Sequence, residues 1–305
     1  MAGSVSVGVF DGLHRGHRAI LERARARAGT GPTVVVSFDP HPDVVLAKRF
    51  QALAPLTPLP EKRERLARMG IHRLEVLPFT RELASLSPEE FVQRHLVEPF
   101  APSALVVGEN FALGRGRAGN VERLRVVGRD LGFEVEAVPL EQVDGAPVTS
   151  TRIRERLAEG RVAEAARLLG RRYSLEGRVV HGEGIGRTLG VPTANLRLHE
   201  EKLLPRFGIY TAWVRIGGED RWRPGAMSLG VRPTFGGQAT TLEVHLLDWD
   251  GDLYGRELEI ELQDWMREER AFDGPEALIA AMQTDLDDAR RRLVRRDEPS
   301  AAPSA

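Results

Sequence analysis

Between Ser4 and Leu140 the apolar positions keep two alternating rhythms. Short β-branched runs, SVSVGVF (4–10), TVVVSF (33–38), HRLEVLPF (72–79), SALVVG (103–108) and FEVEAVPL (133–140), read as buried strands. Between them apolar residues recur three and four apart, as on one face of a helix. RGHRAILERARARA presents Ile20, Leu21 and Ala24 inward, and PEKRERLARMG (60–70) stops at Gly70. SPEEFVQRHL (87–96) begins with Ser87 as cap, Pro88 next and Glu90 at the third helical position. VERLRVVGRDLG (121–132) is the next helix, and STRIRERLAEG and RVAEAARLLG carry the pattern to Gly170. Strands alternating with helices predict an α/β fold with a doubly wound, Rossmann-like parallel sheet. Ligands of such sheets sit beyond the carboxyl ends of the strands.

From Tyr173 to about Asp264 the rhythm shortens to twos. SLEGRVVHG, GIYTAWVRIG, RWRPGAMSLG, TTLEVHLLD and RELEIELQD are separated by turn residues and predict an antiparallel β-barrel or sandwich. GPEALIAAMQTDLDDARRRLVRR (274–296) closes the pattern with a C-terminal helix striped by Leu278, Met282, Leu286, Ala289 and Leu293. The change of rhythm sets a boundary near Arg171–Arg172. The expected organisation is a first domain over 1–171, a second over 172–296 and a disordered tail over 297–305. No internal repeat is visible.

A length of 305 residues suits two domains. The chain is 42% hydrophobic and 29% charged, as soluble globular proteins are. Its net charge of −1 supplies no overall field toward nucleic acid or a membrane, so neither is an expected partner. Cysteine is absent, which excludes disulfides, thiolate nucleophiles and cysteine metal sites. The start lacks the pattern of a signal peptide, and no run approaches the roughly 18 apolar residues of a membrane helix. The cytoplasm is the expected location; oligomeric state is not legible. Of 43 basic residues only three are lysine, a bias of composition without a functional reading.

GVFDGLHRGHRAIL (8–21) stands where the first strand gives way to the first helix. Backbone N–H groups at a positive helix end form an anion site, and glycine lets the chain approach a phosphate closely. His14 and His17, three apart, share one side of the first turn and face one ligand. Imidazole donors suit phosphoryl transfer, whose charge spreads over several oxygens. The residues alone leave two other readings open. The histidines could merely cap the helix entry, or they could begin a metal site, for which two ligands are too few.

TSTRIR (149–154) follows well downstream. Together the two stretches resemble the His-x-Gly-His nucleotidyltransferase superfamily, which pairs its first motif with Ser-Thr-x-x-Arg. FDPHP (38–42) and VVGENFALGRGRAGN (106–120) narrow the resemblance to prokaryotic bifunctional riboflavin kinase/FAD synthetases. The resemblance implies nucleotide contacts from Gly8, Phe10, Asp11, Gly12 and Asn110. It makes His14 and His17 catalytic, and gives Ser150, Thr151 and Arg154 the leaving pyrophosphate to hold. Asp39 and His41 are either ligand contacts or parts of a rigid turn. Arg115 and Arg117 either meet phosphate or are solvated. Glu109 stands where the family often has alanine or aspartate.

In the second half, VVHGEGIGRTLGVPTANL (179–196) resembles the flavokinase signature. Gly182, Gly184, Gly186 and Gly190 would let backbone amides wrap phosphates. Thr193 and Asn195 are implied as oxygen ligands of Mg2+ bound with ATP, the co-substrate. No Gly-Lys-Ser/Thr follows, so this is not a Walker loop. Val191 stands where the family usually has phenylalanine. SLGVRPTFGG (228–237) and TLEVHLLDWDGDLYG (241–255) are further family blocks. Glu243 is implied as the base that takes the proton of riboflavin's 5′-hydroxyl. By itself it reads as a surface glutamate on an alternating strand. WMREERAF (265–272) resembles a family Arg-x-Glu block, which implies Arg267 as a contact to flavin or nucleotide. Trp213, Trp222, Trp249 and Trp265 either stack a flavin ring or pack. The implied activity is phosphorylation of riboflavin to FMN, then AMP transfer from ATP to FMN, giving FAD and pyrophosphate. The implied partners are riboflavin, FMN, FAD and ATP. The family usually has a longer segment before its first strand, and contacts from it are expected to be missing. Rival readings are a chain with one live activity, a non-catalytic flavin binder, and a transferase for another small phosphate.

Overall fold

The computed structural model describes residues 3–46, 54–182, 186, 190–199, 201–234 and 237–293. Gly184 and the tail 297–305 lie outside the described residues. The chain divides into two compact units, 1–150 and 151–305.

In the first unit β1 (Ser4–Val7), β2 (Thr33–Asp39), β3 (Arg73–Pro78) and β4 (Ala104–Gly108) are followed by the two-residue β5 (Ala112–Leu113) and β6 (Gly119–Asn120). Then come β7 (Glu134–Val138) and the short hairpin of β8 (Gln142–Val143) and β9 (Ala146–Pro147). The main sheet runs β3-β2-β1-β4-β7, with every pair parallel. The order reverses at β1, which puts a ligand crevice at the carboxyl ends of β1 and β4. β1 is buried along its length, and its two serines are satisfied: Ser4 Oγ donates to the Ala24 carbonyl at 2.6 Å and Ser6 Oγ to that of Val106 at 2.7 Å. Alternation divides the core between the faces. Val34 and Val36 pack with Val5, Val7, Leu105 and Phe91, whereas Val35 packs with Phe10, Leu13, Leu21 and Leu66.

Two elements depart from the pattern. The first strand stops at Val7, because Phe10 (φ 51) and Leu13 (φ 44) turn the backbone left-handed. The expected helix over 87–96 is an α-helix only over Pro88–Val92; it widens into a π turn over Gln93–Val97. Pro99, just beyond, has no N–H to give the ladder. Its start follows the sequence, since Ser87 and Glu90 form a reciprocal capping box.

The second unit opens at Thr151 within helix Ser150–Ala158, and helix Val162–Leu169 follows. Six strands follow: β10 (Ser174–Val180), β11 (Ala194–Leu198), β12 (Gly208–Ile216), β13 (Trp222–Thr234), β14 (Gly237–Leu246) and β15 (Glu257–Arg267). They close a barrel in the order β10-β11-β14-β13-β12-β15, antiparallel throughout. The helix pair groups with this barrel, ahead of the change in rhythm at 171–172. The Arg206 N–H donates to the Leu157 carbonyl at 2.8 Å, and Gly160 lies against the Trp265 ring. The C-terminal helix Pro275–Arg292 buries Leu286 and Ala289, with Leu293 just past its end, against Trp213 and Leu247; Trp222 packs at the edge. Among the described residues no helix is long and apolar enough to cross a membrane.

Candidate active sites

The tip of β1 is a turn that costs free energy and is held from several sides. Phe10 and Leu13 are 2% exposed, and their left-handed backbone persists because the core fixes both side chains. The buried Asp11 carboxylate accepts the N–H groups of Leu56 (3.2 Å) and Thr57 (3.1 Å). The Asp11 carbonyl accepts the Ser150 hydroxyl at 2.8 Å, which ties the serine of the second motif to the first. Ser37 Oγ and Lys62 Nζ both donate to the Val9 carbonyl, at 3.1 and 2.8 Å.

His14 is the N-cap of helix Arg15–Ala28, its Nδ1 accepting the His17 N–H at 3.3 Å. A spacing of three is the spacing from cap to third helical residue. Because Nδ1 spends its lone pair on the cap, the neutral ring carries its proton on Nε2. The His14 and His17 rings stack with centroids 3.5 Å apart, and Phe10 meets His17 edge-on at 5.3 Å. Burial pushes the His17 pKa well below the ordinary imidazole value, and the neighbouring His14 and Lys62 charges add to the effect. His17 Nδ1 is buried without a hydrogen-bond partner. The cap reading therefore holds for His14, and it coexists with a place at the cavity. Among the described residues no group of three or more His, Cys, Asp or Glu could hold a metal ion.

A cavity of about 840 Å³ opens over this turn. Gly8, Phe10, His14, His17, Asn110 and Ser150 line it, as expected, together with Gly16, Thr149 and His41. Its other wall is aromatic, with Phe38, Phe79, Phe91 and Phe111. The pattern of the sequence did not reveal that wall, because its members come from four separate segments. Asp11, Gly12, Asp39 and Arg115 are not among the lining residues. Arg117 reaches the cavity and donates to the Asn110 carbonyl at 3.2 Å. His41 caps the short helix Pro42–Val45 through Nδ1, and Glu109 accepts the Leu140 N–H at 2.9 Å. Thr151 and Arg154 lie in the first turns of helix Ser150–Ala158, grouped with the second unit.

The second unit has its own cavity, about 510 Å³. Antiparallel pairing sets Asn195 opposite Glu243, and Glu243 opposite Ser228, so the three form a row across β11, β14 and β13. The Thr193 hydroxyl donates to the Glu243 carboxylate at 2.8 Å. A Cβ on Gly182 would fall 2.3 Å from Asn195 Nδ2, so this glycine makes room for the row, and one on Gly186 would fall 2.5 Å from the Val191 carbonyl. Gly186, Thr193, Glu243 and Arg267 line the cavity, with Ser228, Glu269 and Asp285, which the sequence did not single out. Arg267 is gripped by Asp285 in a two-pronged pair (2.9 and 2.6 Å) and donates to the Glu268 carbonyl at 2.8 Å. No tryptophan lines either cavity; Val191 and Trp213 pack in the core beneath the C-terminal helix. A threonine hydroxyl, an asparagine amide oxygen and a carboxylate are hard donors, the type that suits Mg2+.

Both halves match family models: FAD synthetase over residues 2–152 and riboflavin kinase over residues 169–293. A relative from Pseudomonas fluorescens, named bifunctional riboflavin kinase/FMN adenylyltransferase, is 42% identical over 93% of this chain and 91% of its own. A relative of the same name from Listeria monocytogenes is 38% identical over 94% and 91%. A crystal structure named macrolide-efflux protein, from Streptococcus pneumoniae, superposes with a TM-score of 0.85 at 31% identity, covering 95% of this chain and 94% of the other.

Proposed function

The chain belongs to the bifunctional riboflavin kinase/FMN adenylyltransferase family, and from that premise we propose how its residues divide the two reactions. It phosphorylates riboflavin with ATP to give FMN, and transfers AMP from ATP to FMN to give FAD and pyrophosphate. The observation that carries the division is a separate cavity in each unit, each lined by its own polar set.

In the kinase, Glu243 takes the proton of the 5′-hydroxyl as that oxygen attacks the γ-phosphorus, and ADP leaves. The Thr193 hydroxyl, bonded to the Glu243 carboxylate, orients the base before substrate arrives. Thr193 and Asn195 are the residues that would hold Mg2+, which when bound neutralises phosphate charge. Arg267, locked by Asp285, borders the flavin.

In the transferase, an oxygen of the FMN phosphate attacks the α-phosphorus in line and pyrophosphate leaves. The His14 Nε2–H and the His17 ring supply donors to the charge that builds on the α-phosphate. Ser150, Thr151 and Arg154 hold the pyrophosphate, and Asn110 and the N–H groups of the 8–14 turn position the phosphates. The aromatic wall is suited to a flat, fused ring. We assign 1–171 to the transferase, because Thr151 and Arg154 belong to its chemistry, and 172–296 to the kinase. We assign both reactions, which consume ATP, to the cytoplasm.

Purified protein given riboflavin, ATP and Mg2+ should form FMN first and FAD afterwards, resolved by chromatography. Arrest at FMN would leave one live site; bound flavin without turnover would contradict the enzyme reading altogether.

A further inference from the structure

Lys62 sits in helix Leu59–Arg68 and is only 7% exposed. Lysine is almost never so buried without a partner, and this chain uses lysine at only three of its 43 basic positions. The Lys62 ammonium donates to the Val9 carbonyl, which also receives the Ser37 hydroxyl. Two donors on one carbonyl fix the plane of the Val9–Phe10 peptide, immediately before the left-handed backbone of Phe10. Burial lowers the Lys62 pKa, and the Asp11 and Asp39 charges act against that in favour of the ammonium. His17 feels the same charge as repulsion, together with that of His14. Arg15 pairs with Glu141 at 2.9 Å, Arg18 follows His17 in the helix, and Asp43, Arg117 and Glu141 line the same cavity as the two imidazoles. Lys62 itself is not among the cavity-lining residues.

We propose that Lys62 is a positioning residue for adenylyl transfer: it fixes the turn that carries His14 and His17 and sets a buried positive charge behind them. The proposal rests on the transferase reading above. Donors that act on a developing phosphate charge must be in place before reaction, and a turn with two left-handed non-glycine residues does not hold itself. A fixed cation behind the imidazoles adds to the burial that keeps His17 neutral, and favours an anion's entry. None of this requires contact between Lys62 and substrate.

The test compares Lys62→Met, which keeps the stem and loses the charge, with Lys62→Arg, which keeps the charge. Three readouts are taken: kcat and KM for FMN adenylylation, riboflavin phosphorylation as a control in the same chain, and the His17 titration by NMR of the unliganded protein. Lys62→Met should lower the adenylylation kcat roughly 10²-fold, the cost of a small misplacement. KM for ATP should change far less, and phosphorylation should not change. The His17 titration should move up in pH, because a repelling charge is gone. Lys62→Arg should keep the low titration and recover most of kcat. An unchanged kcat or an unchanged His17 titration in Lys62→Met overturns the proposal. If Lys62→Met does not fold, Lys62→Arg decides: a low titration with recovered transfer supports it, and a raised titration with lost transfer overturns it. Wild-type protein that makes no FAD from FMN and ATP would instead refute the transferase reading.

Discussion

His14 does two things with one ring, and they can be separated. As N-cap it accepts the His17 N–H, and it also lines the first cavity. His14→Ala should remove both, costing about 1 kcal/mol of stability in the first unit and abolishing FAD formation. His14→Asn restores a cap acceptor, so its denaturant midpoint should return toward wild type while FAD formation stays lost. Recovery of activity in His14→Asn would reduce the imidazole to a cap. His17 gives a second prediction. Its folded pKa is lowered chiefly by burial, so the unfolded chain binds the proton more readily. The contribution to stability is fully present above the unfolded value of about 6.5. It is lost as pH falls from there toward the lower folded value. NMR of the unliganded protein should find His17 neutral at pH 6.5, and added ATP should raise its titration. A midpoint at the ordinary value would contradict the burial. At this scale the glycine–histidine motif was legible, because its parts are adjacent in sequence. The partners of Asp11 and Lys62 were not, since Leu56 and Val9 lie 45 and 53 residues away from them.

Among the elements, pairing register does what residue identity alone does not. Asn195 and Glu243 oppose each other because β11 and β14 run antiparallel in this register, and Gly182 leaves the room that Asn195 fills. Gly182→Ala should push the Asn195 side chain aside and lower riboflavin phosphorylation by roughly 10- to 10²-fold, with FMN adenylylation unchanged. Product assays on both substrates check this; equal activity in the variant would mean that Asn195 has no part in the kinase. Strands and helices were legible from their periods, and the capping box fixed the start of the helix at Pro88. The stop of β1 at Val7 was not, because VGVF reads as strand on its own. It is core packing of Phe10 and Leu13 that holds the left-handed turn. The π turn over Gln93–Val97 escaped for a similar reason, since apolar spacing barely distinguishes it from α. The helix pair after Ser150 had a clear helical pattern, but a helical stripe does not say which neighbour it packs on.

For the whole molecule, the change from βα alternation to short alternating strands foretold two architectures, and a cavity of its own lies in each unit. The family likeness spans both, over more than nine-tenths of the chain. The cavities were not legible as cavities: the aromatic wall of the first and the Ser228–Glu269 pair of the second are assembled from distant segments. A net charge of −1 leaves any anion binding to local groups. The central claim is that two ATP-using sites share the chain without sharing catalytic residues. A reciprocal pair of variants, each assayed for riboflavin-to-FMN and FMN-to-FAD conversion, tests it most directly. Glu243→Ala should lose the first conversion and keep the second, His17→Ala should do the reverse, and the two mixed should make FAD from riboflavin. Loss of both conversions in either folded variant, or of neither, would contradict it.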